Sequence, residues 1–480
     1  MSSGVCQAAR VTCVLCLALA SKAFAEPYPD APSVEALRQQ IALQQARLDA
    51  QQAALDKQRD QLAELEATVA QLLPAGTDSE RSGAGSTTVV PVYHEDDDDE
   101  DNRGLEVEGY GIVNYLNRDW ETDPFAKNTL DTERFILELE YRFDQHFFAN
   151  AEIEFEHGGT GVALDLDTQE EFGEYEQEIE KGGEVVVEEM YLGYRYSDWL
   201  NARFGHFYVP VGRTNLHHEP DDYFTVQRSQ SEAAVIPQVW HESGVSVYGS
   251  LPLFDLGRIK YEMQIVSGLD STGFSSRNWI AGGFQQRFEE ARAEDLAFVG
   301  RLDYYPLENL QLGGSYYGGN TVGSRPKNDV DFDAWVDILE FDFEWKPGDL
   351  TLRGQYLWGR LQNSHLITDA NRNLSNNLGV KRTPVGSEAQ SWYVEGGYDL
   401  LRRDDRSLIL FGRYESYDSM YRTEGLVFDN PRWDRESWTV GIDYLPIPGV
   451  IFKADYTHRT LGIAENNEED TFGLGVGFTY

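Results

Sequence analysis

The sequence predicts an all-β fold: a 16-stranded antiparallel transmembrane β-barrel preceded by an N-terminal α-helical coiled coil. Three observations predict it. From Gly104 to Tyr480 apolar and polar residues alternate with a period of two, the period of a strand with one apolar face. The connections between the alternating segments are short and long strictly in turn. Before them, six heptads carry apolar residues at the spacing of a coiled-coil seam.

Taken in order, the chain opens with Arg10, an apolar run over 11–20 and Ala23-Phe-Ala25 before Glu26. This predicts a signal peptide, residues 1–25, cleaved after Ala25. All three cysteines (Cys6, Cys13, Cys16) lie within it, so the mature chain is expected to have no disulfide and no thiol chemistry. No other apolar run approaches the ~20 residues a membrane helix needs.

Residues 33–73 form the predicted coiled coil, placed in the periplasm. Val34, Ile41, Leu48, Leu55, Leu62 and Val69 recur every seventh residue, with Leu37, Gln44, Gln51, Gln58, Leu65 and Leu72 in the partner position. The three central Gln layers are polar core positions of the kind that fix register and strand number. Pro74 ends the run. A solvated single helix is the plainer alternative. Residues 74–103 then read as a linker, Gly/Ser-rich at first and acidic from Glu95 to Asp101. A calcium loop would need a Gly turn at a spacing that is missing, so no metal is expected there.

Within 104–480 the lipid-facing parity is carried by Phe135, Leu137, Leu139 and Tyr141, then Phe147, Ile153 and Phe155, later Ile259, Tyr261, Met263 and Ile265, and finally Phe472, Leu474, Val476, Phe478 and Tyr480. The opposite parity of the last segment is Thr471, Gly473, Gly475, Gly477 and Thr479. About sixteen such segments are expected. The short connections fall near 144–146, 197–198, 252–255, 306–308, 346–349, 401–405 and 446–449. The long ones fall near 118–130, 157–183, 210–240, 268–294, 319–332, 360–388, 418–433 and 460–469. Aromatic residues at predicted strand ends form two girdles: Tyr141, Phe143, Tyr194, Tyr196, Tyr304, Trp345, Tyr444 and Tyr480 at one end, Trp358, Trp392, Tyr414, Trp438 and Tyr456 at the other.

Sixteen strands enclose more space than side chains fill, so an aqueous channel is the geometric default. Its wall is strongly charged. Basic lumen candidates include Arg134, Arg258, Lys260, Arg301, Arg353 and Lys453, interspersed with carboxylates such as Glu138, Glu152, Glu154, Glu340, Asp342, Glu395 and Asp455. Selectivity is set where a channel narrows. The candidates for that position are Arg203 and the segment from Pro210 to Ser229, with Arg213, His217, His218 and Arg228. The formal net charge of −42 excludes nucleic acid as a partner. Adjacent His217 and His218 point to opposite sides of an extended chain, so no metal is expected between them. No cofactor and no catalytic constellation are expected.

The run Asn-Ala-Arg-Phe-Gly-His-Phe-Tyr-Val-Pro-Val-Gly from Asn201 to Gly212, the Arg-containing loop after it and Gly-Val-Ser-Val-Tyr-Gly from Gly244 to Gly249 resemble the phosphate-selective porin O/P family. The coiled coil resembles that of related dicarboxylate porins. The resemblance spans 104–480 and implies a homotrimer of sixteen-stranded outer-membrane channels whose third external loop folds inward as the constriction. It departs in lacking an evident lysine cluster. The expected partners are therefore small hydrophilic solutes or anions, outer-membrane lipid and lipopolysaccharide. An anchor tethered to the cell wall through the coiled coil is the leading alternative. A barrel hydrolase comes after it, with no residue marking a nucleophile, and a plugged transporter lacks its plug.

Overall fold

The structure is a computed structural model. It describes residues 103–161, 165–167, 176–178, 183–285, 290–374, 382–401 and 406–480, with backbone only over 159–182. The chain divides into two units, Met1–Gly83 and Ala84–Tyr480, and every described residue belongs to the second. The expected signal peptide, coiled coil and all of the linker before Arg103 lie outside the described residues.

The strands are β1 (Gly104–Trp120), β2 (Thr129–Arg142), β3 (Phe147–Gly161), β4 (Asp165–Asp167), β5 (Glu176–Glu178), β6 (Gly183–Ser197), β7 (Leu200–Tyr208), β8 (His241–Pro252) and β9 (Arg258–Ser267). They continue as β10 (Leu296–Leu307), β11 (Leu310–Asn320), β12 (Trp335–Trp345), β13 (Leu350–Leu361), β14 (Glu388–Asp399), β15 (Ser407–Arg422), β16 (Asp434–Ile447), β17 (Val450–Leu461) and β18 (Glu468–Thr479). Sixteen of them close into one antiparallel barrel. β4 and β5 form a separate hairpin in the second long loop, which the alternation pattern does not foretell. The seam joins β1 to β18, with Tyr110 opposite Thr479 and Val113 opposite Val476. Turns at one end are as short as Asp198–Trp199, while the connections at the other reach 209–240 and 268–295.

The outer face is apolar, as the alternation requires. Phe204, Phe341 and Leu302 are 69 %, 58 % and 57 % exposed there. Both aromatic rims exist as pairs of neighbouring rings. Tyr141 meets Phe143 at 4.9 Å and Phe147 meets Tyr194 at 4.8 Å at one end; Trp392 meets Tyr414 at 5.4 Å and Trp438 meets Tyr456 at 5.5 Å at the other.

The inner face departs from the expectation of a wet wall throughout. On β10, β12 and β13 the inward residues switch character along the strand. Arg301 and Asp303, Glu340 and Asp342, and Arg353 and Gln355 occupy the half nearer the short turns. Ala297 and Val299, Val336 and Ile338, and Leu357 and Leu361 occupy the other half, all buried. Two long loops cover that apolar half. Val209, Val211, Val235, Ile236 and Trp240 of 209–240 and Leu269, Phe274, Trp279 and Ile280 of 268–295 join it in one buried cluster. The Trp279 ring lies against Gly359, where any side chain would collide with it. One sector of the barrel is thus a dry core. The short helix α1 (Arg213–Leu216) and helix α2 (Gln230–Ala233) lie in the first of these loops, and helix α3 (Ser364–Asn373) lies in the loop 362–387. Asn371 of α3 donates to the Ser271 carbonyl at 3.0 Å and accepts from Arg325 at 2.9 Å, tying three long loops together.

Candidate functional site

The loop 209–240 leaves β7 and crosses the barrel before returning to β8. Its two legs are closed on each other at the root. Val209 N donates to the Trp240 carbonyl at 2.8 Å and Asn215 Nδ2 donates to the Val209 carbonyl at 2.7 Å. Thr214 N donates to Glu232 across the loop at 2.9 Å. Gly212 has a φ of 91°, and a Cβ there would lie 2.8 Å from a Glu232 oxygen. Glycine meets both demands.

Beyond the root, Arg213 N donates to Gln355 at 2.7 Å and its guanidinium pairs with Glu344 at 2.7 Å, fixing α1 to β12 and β13. At the tip, Lys453 donates to the carbonyls of Tyr223 and Thr225 at 2.5 and 3.2 Å and stands 3.9 Å from the Tyr223 ring centroid. Asp455 accepts from Val226 N at 2.6 Å, and Phe224 stacks on Phe411 at 5.4 Å. On the return leg Ser229 Oγ donates to Glu415 at 2.6 Å. The last strand is shaped for this contact. A Cβ on Gly473 or Gly475 would lie 3.0 or 3.4 Å from the Val226 side chain, and one on Gly477 would strike Pro220. The small inner face of β18 is the bed of the loop.

Just across the seam from that bed, Tyr223 buries with Tyr110 and Ile112 of β1 and Ile136 of β2. Arg228 donates to Tyr110 Oη and to the His218 carbonyl, both at 3.4 Å. The His218 ring lies 5.2 Å from Tyr208, whose hydroxyl donates to Glu188 at 3.0 Å. The loop therefore touches β1, β12, β13, β15, β17 and β18.

The basic residues that the sequence nominates are placed as follows. Arg213, His217, His218 and Arg228 are together on the loop and buried. Burial, with Arg213 beside His217 and Arg228 beside His218, holds both imidazoles well below their usual range and neutral. Arg203 lies on β7 outside the loop. It bonds Glu262 at 2.5 Å and sits among the Tyr191, Phe207 and Tyr248 rings at 4.7 to 5.5 Å. Arg134 pairs with Glu154 and Glu156 at 2.7 and 2.8 Å, and Arg301 with Asp303 and Asp342 at 2.7 Å each. Arg353 pairs with Glu344 at 2.9 Å and Glu395 at 3.4 Å. Arg258 and Lys260 lie 4.8 and 5.4 Å from the Tyr305 ring centroid. Most of these cations are matched by a carboxylate in place.

On the long-loop side of 209–240 a cavity of about 1060 Å³ opens outward, with Thr225, Gln227 and Arg228 of the loop in its lining. Besides Arg134 and Arg413 of the barrel wall, five further arginines line it: Arg118, Arg277, Arg432, Arg435 and Arg459. Sequence reasoning did not single these out. Their signal was available in parity, since Trp438, Val440 and Ile442 face outward on β16 and Arg435 takes the other parity.

The fold thus belongs to the class of closed antiparallel barrels with an apolar outer face and a charged lumen crossed by a loop. No family model matches the chain. A curated relative, an uncharacterized protein of Aquifex aeolicus (strain VF5), is 28 % identical over 372 residues, covering 76 % of this chain and 78 % of the relative. Among solved structures the chain is similar to Salmonella typhi OmpF in complex with daunomycin, at 11 % identity and a TM-score of 0.49 over 78 % of this chain and 97 % of that one. It is also similar to the outer membrane channel DcaP of Acinetobacter baumannii (12 %, TM-score 0.44, 79 % and 97 %) and to the anion-selective porin from Comamonas acidovorans (10 %, TM-score 0.43, 79 % and 100 %).

Proposed function

We propose that this chain is an outer-membrane channel through which small hydrophilic solutes diffuse, with the loop 209–240 setting its narrowest section. One observation carries the reading. A closed sixteen-stranded ring leaves no unpaired backbone edge, presents apolar side chains outward, and keeps its buried ion pairs inside. Hydrocarbon is the medium in which that arrangement is favourable. The two aromatic rims then mark the membrane interfaces, with the short turns in the periplasm and the long loops outside.

The finer assignments go with it. The porin O/P resemblance, the homotrimer, the periplasmic coiled coil over 33–73 and contact with lipopolysaccharide are part of the proposal. Anion preference rests on fewer residues than the sequence nominates. Arg203 and Arg213 are each paired with a carboxylate, whereas Arg228 bonds only neutral oxygens among the described residues. Arg228 is therefore the throat cation on which the preference depends. The hydrolase reading has one contact in its favour, Ser243 Oγ at 3.1 Å from His206 Nδ1. The other nitrogen of His206 meets His241 at 2.6 Å rather than a carboxylate that would hold its tautomer. A channel is the better reading.

Single-channel recording of the purified, folded chain in planar bilayers tests the proposal. Discrete conductance steps are expected, and folded protein that gives none refutes the channel. Reversal potentials in a salt gradient test the charge preference. Anion selectivity that falls in Arg228→Ala is expected, and cation selectivity unchanged by that substitution rejects the role given to Arg228.

A further inference from the structure

The cavity above the loop has two chemically opposed walls. On one, Arg435 stands 4.6 and 5.2 Å from the Tyr417 and Trp433 ring centroids, and Arg118 and Arg459 flank Trp120 at 5.5 and 5.3 Å. Arg459 pairs with Glu469. Arg435 is 8 % exposed and donates to the Arg277 carbonyl at 3.0 Å, and its Nε has no partner. Asp418, close to it, accepts instead from Met420 N at 2.8 Å. A guanidinium packed against aromatic rings keeps its fork of donors for a carboxylate.

On the other wall, Glu154 and Glu156 of β3 share Arg134, and Glu188 of β6 accepts from a tyrosine hydroxyl, so carboxylates outnumber cations. Glu156 is the most open of them, its side chain 25 % exposed. An ammonium group is what such a wall attracts.

β16 and β3 are five steps apart around the closed ring. With ~4.8 Å between strands and a tilt of ~40°, the ring is ~32 Å across, and the gap left between the Arg435 and Glu156 side chains is roughly 15 Å. A lone anion or cation gains on one wall and loses on the other. A solute with both charges gains on both, provided they are far enough apart. The charges of a free amino acid are too close. An extended tetrapeptide, at ~3.3 Å per residue, spans ~13 Å.

We propose that this cavity is a binding site for short zwitterionic peptides, the carboxylate end on Arg435 and its neighbours and the amino end on Glu156. The proposal rests on the channel reading for its role in uptake, while the site itself is a matter of binding.

The test uses the full chain and tetra-alanine, compared with N-acetyl-tetra-alanine, tetra-alanine amide and free alanine. Two readouts are taken: interruption of single-channel current on addition from the long-loop side, and titration calorimetry in detergent micelles. Tetra-alanine is expected to act at about one-tenth the concentration of either capped peptide, the factor one charge-assisted contact supplies. Arg435→Gln is expected to erase the advantage over the amide, and Glu156→Gln the advantage over the acetyl peptide. Equal action of all the peptides, or an acetyl peptide as effective as the free one, overturns the site. Selective binding without any conductance supports the site and refutes the channel.

Discussion

Asp455 accepts the Val226 amide at 2.6 Å, so the tip of a loop rooted at β7 is pinned to a strand 229 residues further along the chain. Lys453, two residues earlier on the same inner face, grips the carbonyls of Tyr223 and Thr225. Together they hold the tip by three backbone atoms, and Lys453 adds a cation–π contact with the Tyr223 ring.

Asp455→Ala is expected to free the tip. The Val226 amide would be left buried without an acceptor, at about 1–3 kcal/mol. Single-channel records should show larger and noisier conductance, and limited proteolysis should cut within 209–240. Wild-type conductance and wild-type protease resistance would mean that the pin is not what holds the loop.

Gly477→Leu is expected to push the loop off its bed, because the new side chain meets Pro220 directly. Overpacking of this kind costs about 1–3 kcal/mol. Amide exchange across 219–228 should accelerate while exchange in the barrel strands stays as it was. Gly104→Leu, where nothing stands within 4 Å of the added group, is the matched control.

Leu302 lies midway along β10 and Leu307 at its end, 57 % and 59 % exposed on the outer face. Arginine at mid-depth on a lipid-facing strand costs about 2–4 kcal/mol, and about 0–1 near the interface. Urea titration of protein folded into lipid vesicles should separate Leu302→Arg from Leu307→Arg by that margin. Equal effects would place the membrane elsewhere on the barrel.

The loop should also respond to pH. Burial, then Asp222 and Asp221, push Glu219 up to about 8, with Glu138 and Glu108 of the facing wall adding to it. Burial and Asp221 push Asp222 up to about 6. Both folded values lie above the unfolded range near 4, so the folded loop binds more protons than the unfolded chain. Its stability is then fully present below about pH 4 and is lost as the pH rises towards 8. Amide exchange in 219–228, corrected for its intrinsic pH dependence, should be slower at pH 5 than at pH 9. Glu219→Gln should flatten the difference, and a difference that survives it would locate the titrating group elsewhere.

The sixteen strands, the seam and the order of short and long connections were legible because each is a local pattern: side-chain parity along a strand, and turn residues between strands. The dry sector was not. Parity assigns Phe298 to the outside and Val299 to the inside, and nothing in a period of two says that Val299 is buried in one cluster with Trp240 and Trp279 rather than facing water. Likewise Gly473, Gly475 and Gly477 read as a small inner face, but the reason they are small lies some 250 residues upstream, in Pro220 and Val226. At the candidate site the loop and its four charged or imidazole residues were legible by composition. The carboxylates that neutralise Arg203 and Arg213 were not, since Glu262 and Glu344 become their neighbours only when the ring has formed.

The seam between β1 and β18 has a consequence for assembly. Gly109 and Tyr480 exchange backbone hydrogen bonds at 3.0 and 2.9 Å across nearly the whole length of the barrel sequence. Until those two ends meet, any partly formed sheet carries two adhesive edges. Joining partners so distant in sequence is slow. Closing the ring is therefore what removes both edges at once, and it falls late in folding because the two residues that meet stand at opposite ends of the barrel sequence.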